Sequence, residues 1–165
     1  MKLKLAAAAA LLATSFAASA NTYDLGTLSP LGFDSWGQSS SRVAAGTAID
    51  DTWTFTLLAD SNTSFLTSQT FAVPTSAISN FSAVLLGNTF APLMTDATSQ
   101  TLTWGGMLAA GTYTVHVTGV ATADRTTYLG SVSALPVPEP ETYAMLMAGL
   151  GIMGVVARRK AKKSA

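Results

Sequence analysis

The residues of this chain best suited to chemistry are few, and most lack the partners that chemistry would require. A serine nucleophile needs an imidazole to take its proton, and the sequence holds one histidine, His116, within Thr112-Tyr113-Thr114-Val115-His116-Val117-Thr118. Alternation puts His116 on the threonine side of a strand, facing water, and no Gly-x-Ser-x-Gly elbow presents a serine. Glycosidases ordinarily use two carboxylates flanking one sugar bond. Of the seven aspartates between Asn21 and Val137, Asp24, Asp34, Asp60, Asp96 and Asp124 are expected at turns or strand edges, where Asp bonds its own backbone. Asp50 and Asp51 are adjacent, so on a strand they would point to opposite faces. They read as a solvated turn ahead of Trp53, with Ca²⁺ at a strand edge as the alternative. Trp53 and Trp104 have the alternating neighbours of core residues. Trp36, in Gly32-Phe33-Asp34-Ser35-Trp36-Gly37, reads as a loop residue able to stack on a sugar ring. No catalytic residue, cofactor site or metal centre is expected from these patterns.

The elements that would position these residues follow from composition. The chain has 165 residues, 48% hydrophobic and 11% charged, with no cysteine and zero formal net charge. That apolar content is too high for disorder, and the lack of cysteine excludes a disulfide scaffold or a thiolate metal site. Charge is segregated. Between Asn21 and Val137 two cations, Arg42 and Arg125, face seven aspartates, giving −5. An acidic body repels phosphate backbones, so nucleic acid is excluded as a partner. The same stretch holds 35 Ser and Thr residues. Thr52-Trp53-Thr54-Phe55-Thr56-Leu57, the His116 segment and Thr101-Leu102-Thr103-Trp104 alternate with period two, the pattern of antiparallel strands with one wet face. Apolar runs at 65–73, 78–86 and 128–135 are further strands. Turns are expected at Asp60-Ser61-Asn62, Gly87-Asn88, Gly105-Gly106, Ala110-Gly111 and Ala123-Asp124-Arg125. The prediction is an all-β antiparallel sandwich or jelly roll over 21–136.

Both ends differ from the body. Residues 1–20 open with Lys2 and Lys4, continue through an apolar run from Leu5 to Ala13, and close on Ala18-Ser19-Ala20. This is the form of a secretory signal helix, with signal peptidase expected to cut after Ala20 and leave Asn21 first. Residues 137–165 begin with Val137-Pro138-Glu139-Pro140, pass through an apolar Gly-spaced segment at about 142–157, and end on Arg158, Arg159, Lys160, Lys162 and Lys163. That segment is expected to be a transmembrane helix, with the flanking cations holding the tail on the cytoplasmic side. The two prolines should keep the preceding peptide extended for a protease.

Val-Pro-Glu-Pro, a short Gly-rich apolar helix and an Arg-rich terminus together resemble the PEP-CTERM sorting signal. The resemblance implies an exported protein of Gram-negative bacteria that make exopolysaccharide. It also implies processing at Pro-Glu-Pro by an exosortase, a membrane protease-transpeptidase. The body in turn resembles a short family named for a Phe-x-Asp-x-Phe (FxDxF) pattern. Its later elements match Leu108 to Gly119 and Tyr128-Leu129-Gly130-Ser131, and the naming pattern would fall at Ile49-Asp50-Asp51-Thr52-Trp53, with Ile49 and Trp53 in place of its two Phe residues. Phe33-Asp34-Ser35-Trp36 is a second stretch of similar composition. The expected function is non-enzymatic, structural or adhesive, in the exopolysaccharide layer. A carbohydrate-binding module using Trp36 is the alternative, and a secreted hydrolase a third reading.

Overall fold

The computed structural model describes residues 18–29, 32–72, 78–137 and 140–163. The expected leader helix around Leu5 to Ala13, and Pro138 and Glu139 of the sorting motif, lie outside them. The described strands are β1 (Ala18–Ser19), β2 (Thr22–Leu28), β3 (Asp34–Ser39), β4 (Ala48–Leu57), β5 (Ser61–Thr70) and β6 (Ile78–Leu85). They continue with β7 (Asn88–Thr89), β8 (Ala91–Thr95), β9 (Ser99–Leu108), β10 (Gly111–Ala121) and β11 (Leu129–Pro136), followed by a helix, α1 (Pro140–Lys163). One sheet has the order β1-β4-β10-β6-β7, with β2 also on β4; the other has the order β3-β11-β5-β9-β8. Phe55 of β4 lies 6.1 Å from Phe65 of β5, ring to ring, so the two sheets meet across a shared aromatic core.

Alternation does most of the folding. On β4, Ile49, Asp51, Trp53, Phe55 and Leu57 point inward and are buried, and the residues between them face out. On β10, Val115 and Val117 are buried, and His116 is exposed between Thr52 and Val84 in register. Where one face must be re-aimed, a bulge does it. In β2 the inward phase passes from Tyr23 and Leu25 to Leu28 across a register shift at Gly26, whose φ of 76° suits a residue without Cβ. In β6 the phase changes between Ile78 and Phe81, with Asn80 left-handed at φ 52°.

The all-β expectation holds in outline, but pairing and boundaries differ in particular places. β1 and β2 run parallel to β4, along one edge of it. Parallel neighbours need a long crossover, and β3 in the opposite sheet lies between β2 and β4 in the chain. Ser61 and Asn62 belong to β5, not to a turn, with Ser61 buried against Thr63 at 2.8 Å between hydroxyls. Gly105 and Gly106 lie inside β9, not at a turn; a Cβ on Gly106 would sit 3.1 Å from the Trp104 ring, so the glycine makes room for that indole. Trp36 is on β3, an edge strand, and not in a loop. Asp50 and Asp51 lie within β4 and not in a solvated turn.

The C-terminal segment is helical, but among the described residues no helix is long and apolar enough to cross a membrane, contrary to the expected transmembrane helix. Tyr143 to Ala157 rises roughly 22 Å against a hydrocarbon core of about 30 Å, and beyond it the helix continues into its cationic end. Pro140 opens the helix instead of extending the linker, a position where a missing N–H costs nothing.

Candidate functional site

Two places carry the chemistry that the fold positions. The first is buried. Asp51 is 2% exposed, on the inward face of β4. Its Oδ1 accepts the backbone N–H of Asn21 at 2.9 Å and the Asn21 side-chain amide at 3.2 Å. Its Oδ2 accepts the Tyr128 hydroxyl at 2.7 Å. Tyr128 in turn accepts Trp53 Nε1–H at 2.8 Å, and its own backbone N–H is received by the Ser40 hydroxyl. Tyr23 stacks on Trp53 with centroids 4.3 Å apart, and its hydroxyl accepts the N–H of Ser41. Burial pushes the Tyr128 phenol well above its ordinary range; the Trp53 N–H opposes the rise and the hydrogen bond to Asp51 adds to it. The phenol is therefore a permanent donor to the carboxylate at physiological pH.

This arrangement holds strands together instead of presenting a reactive group. Asp50, on the opposite face, is exposed and does not join it, so the adjacent pair shares no ligand. Among the described residues no group of three or more His, Cys, Asp or Glu side chains gathers to hold a metal ion. Trp53 is fully buried and Trp104 half-buried. Sequence reasoning missed the Asn21–Asp51–Tyr128–Trp53 chain because its hydrogen-bonded pairs lie 30 to 77 residues apart. One signal was available: Ile49, Asp51 and Trp53 share an inward phase, which makes the middle residue a buried carboxylate.

The surface carries the other candidates. Trp36 is 57% exposed on edge strand β3, opposite Val132, and Phe33 just before the strand is 68% exposed. Arg42 and Arg125 converge on one depression of about 280 Å³ beside Val43 and Asp124. The Asp124 carboxylate there already accepts the N–H of Ala45 at 2.9 Å.

The second place is the C-terminus. Among the described residues the core contains none beyond Ala134, and β11 ends at Pro136. Along α1, Tyr143, Met145, Leu146, Met147, Leu150, Ile152 and Met153 are all exposed, an apolar surface too large for an isolated helix in water. Glu141 lies in the first turn and Arg158 and Arg159 near the last, each complementing the helix dipole. Residues 136–160 match the family model described as the PEP-CTERM protein-sorting motif. The chain carries a PEP-CTERM sorting signal. This signal implies an exosortase as processing partner, and it places Val137, Pro138, Glu139 and Pro140 at the junction of body and helix.

No curated protein matches the chain. Among solved structures it is similar to the pre-peptidase C-terminal domain of collagenase from Bacillus anthracis, at 15% identity and a TM-score of 0.44, covering 67% of this chain and 93% of that one. It is also similar to a β-glucosidase from Paenibacillus barengoltzii, at 14% identity and a TM-score of 0.37, over 71% of this chain and 11% of that one. A Bacillus thuringiensis Cry1Da tryptic core variant gives 9% identity and a TM-score of 0.38, over 69% and 25%.

Proposed function

We propose that this is an exported cell-surface or matrix protein whose β body is released from its sorting helix by an exosortase-like enzyme and works without catalysis in the exopolysaccharide layer. The observation that carries this reading is the match of residues 136–160 to the PEP-CTERM sorting motif. The division of labour along the chain supports it: the sorting signal starts where the last strand stops. Among the described residues, a cut near Pro138 to Pro140 removes no strand and no core residue, so the mature body keeps its fold. The leader, cut by signal peptidase after Ala20, delivers the chain to the membrane. The apolar helix holds the precursor there, aided by thinning of the bilayer and by the flanking cations Arg158, Arg159 and Lys160.

The test is the intact mass of the protein recovered from a host with and without its exosortase. The expected result is loss of residues 1–20 in both strains, with loss of α1 and the tail only where exosortase is present. A C-terminus ending at Ala165 in both strains would make the helix a plain anchor and overturn the sorting reading.

A second reading, a carbohydrate-binding surface, is favoured by the exposure of Trp36 and of Phe33, three residues before it. Stacking of an aromatic face is worth roughly 0.5–1.5 kcal/mol beyond area burial. On this reading Trp36→Ala weakens binding of the host exopolysaccharide about three- to tenfold in a titration of the full chain in mild detergent. Binding that is absent, or unchanged by the substitution, removes Trp36 as a sugar contact.

A further inference from the structure

Asp51 presents an imbalance. Its carboxylate is buried, yet the donors it receives are neutral: two N–H groups of Asn21 and the hydroxyl of Tyr128. The body's two arginines are elsewhere, both exposed and lining the depression beside Asp124. A buried carboxylate without a cation is unfavourable even when its oxygens are hydrogen-bonded. One of its donors, however, is the backbone nitrogen of Asn21, 2.9 Å from Oδ1, and Ala18-Ser19-Ala20 immediately before it has the small residues that signal peptidase accommodates. Hydrolysis of the Ala20–Asn21 bond adds water across it. Ala20 leaves as a carboxylate, and the Asn21 nitrogen becomes an amine that takes up a proton at neutral pH.

We propose that Asp51 is the seat of the mature amino terminus: removal of the leader turns the Asn21 amide into an α-ammonium that forms an ion pair with the buried Asp51 carboxylate. The inference rests on the reading that the leader is cut after Ala20. Little needs to move for the pair to form. The Asn21 carbonyl accepts the N–H of Thr52 at 2.8 Å, and the next residue, Thr22, is already paired with Thr52 in β2. The cut removes the short β1 pairing of Ala18 with Ala48 and Ser19 with Ile49, and the Ser19 hydroxyl bond to the Asn21 amide. In exchange, a neutral donor becomes a charged one at a desolvated carboxylate, where such bonds are strongest. Removal of the leader thus locks the β2 edge of the sandwich onto β4.

The experiment compares two full-length proteins in mild detergent, from a host lacking exosortase. One is exported from its own leader. The other is made in the cytoplasm from Asn21 onward with its initiator Met retained, which displaces the charge by one residue. Intact mass is read first. A start at Asn21 is expected, and a start elsewhere removes the premise before any stability is measured. The exported form is expected to have an unfolding constant in urea about tenfold or more below that of the Met-extended form. The gap should close to within about twofold when both carry Asp51→Asn. A start at Asn21 with no gap, or with a gap that survives Asp51→Asn, overturns the seat. Should Asp51→Asn fail to fold, acylation of the unsubstituted exported protein decides. The Asn21 amine should react about tenfold more slowly folded than in urea, while Lys160, Lys162 and Lys163 provide an internal standard. Equal rates in the two states overturn the proposal.

Discussion

Trp53→Ala is expected to destabilise the body by about 3–5 kcal/mol, the cost of deleting a fully buried aromatic side chain. The indole is in contact with several elements at once. It stacks on Tyr23 of β2, lies 5.7 Å from the Tyr128 ring, and donates its N–H to the Tyr128 hydroxyl. Its six-membered ring also covers Gly130 of β11 so closely that a Cβ there would lie 2.8 Å away. Because β4 and β11 belong to different sheets, truncation opens a cavity in the joint between layers, where neither sheet can collapse independently. Typical domains have about 5–15 kcal/mol in total, so the variant should unfold at a much lower urea concentration. Trp36→Ala is the comparison, with an expected change within about 0.5 kcal/mol because that ring is exposed on an edge strand. Equal losses from the two substitutions would mean that Trp53 does not join the sheets.

The contrast between these tryptophans shows what was legible in the residues. Trp53 sits in an uninterrupted Thr-aromatic alternation, so both its element and its burial follow from pattern. Trp36 is surrounded by Gly, Ser and Asp, which read as loop; its strand comes from pairing with β11, a contact remote in sequence. β5 was harder still. Ser61, Thr63, Thr67 and Gln69 face inward while Leu66 faces out, so hydrophobicity alone gives the wrong phase around Phe65. The inward polar groups are compatible with burial because most find partners. Gln69 bonds both the N–H and the carbonyl of Ile78, at 2.6 and 3.1 Å, and also Gln100. Among the described residues Thr67 Oγ1 finds no partner, a local cost that no sequence rule anticipates. The turn at Asp96 was readable for the opposite reason: its carboxylate bonds Thr98 and Ser99 within three residues, first the Thr98 N–H, which lowers its pKa.

The C-terminal signal was legible because its parts are contiguous, whereas the buried carboxylate was not. A sorting peptidase reads a short linear segment, so order and composition suffice to recognise it. Asp51 acquires its meaning only when β2, β4 and β11 bring Asn21 and Tyr128 to it. The two features sit toward opposite ends of the chain, the carboxylate bonded to Asn21 and the signal at residues 136–160. Asn21 is partly buried and bonds the buried Asp51, whereas among the described residues nothing beyond Pro136 joins the core. Processing at the C-terminus should therefore leave stability unchanged, whereas changes around Asn21 should not.

Tyr128→Phe tests the centre of that arrangement without altering its shape. The substitution removes one oxygen and leaves two groups short of a partner, the Trp53 N–H and Asp51 Oδ2. Each is buried, so the expected loss is about 1–3 kcal/mol, toward the upper end because one partner is a carboxylate. Tyr113→Phe is the control: its hydroxyl bonds the Ala109 carbonyl in an exposed setting, where water replaces the lost partner. The two variants should also differ in alkali. The Tyr128 phenol is raised in the folded state by burial first, and by Asp51 as well. Above an unfolded pKa of about 10 the unfolded chain releases this proton while the folded chain keeps it. The wild-type protein then loses stability as pH rises, by up to about 1.4 kcal/mol per pH unit from this group. Tyr128→Phe should lack that part of the slope and Tyr113→Phe should retain it, as read from urea unfolding between about pH 9 and 11. A Tyr128→Phe protein with wild-type stability and an unchanged alkaline slope would show that the hydroxyl does not couple Asp51 to Trp53. Asp51 would then depend on the two nitrogens of Asn21.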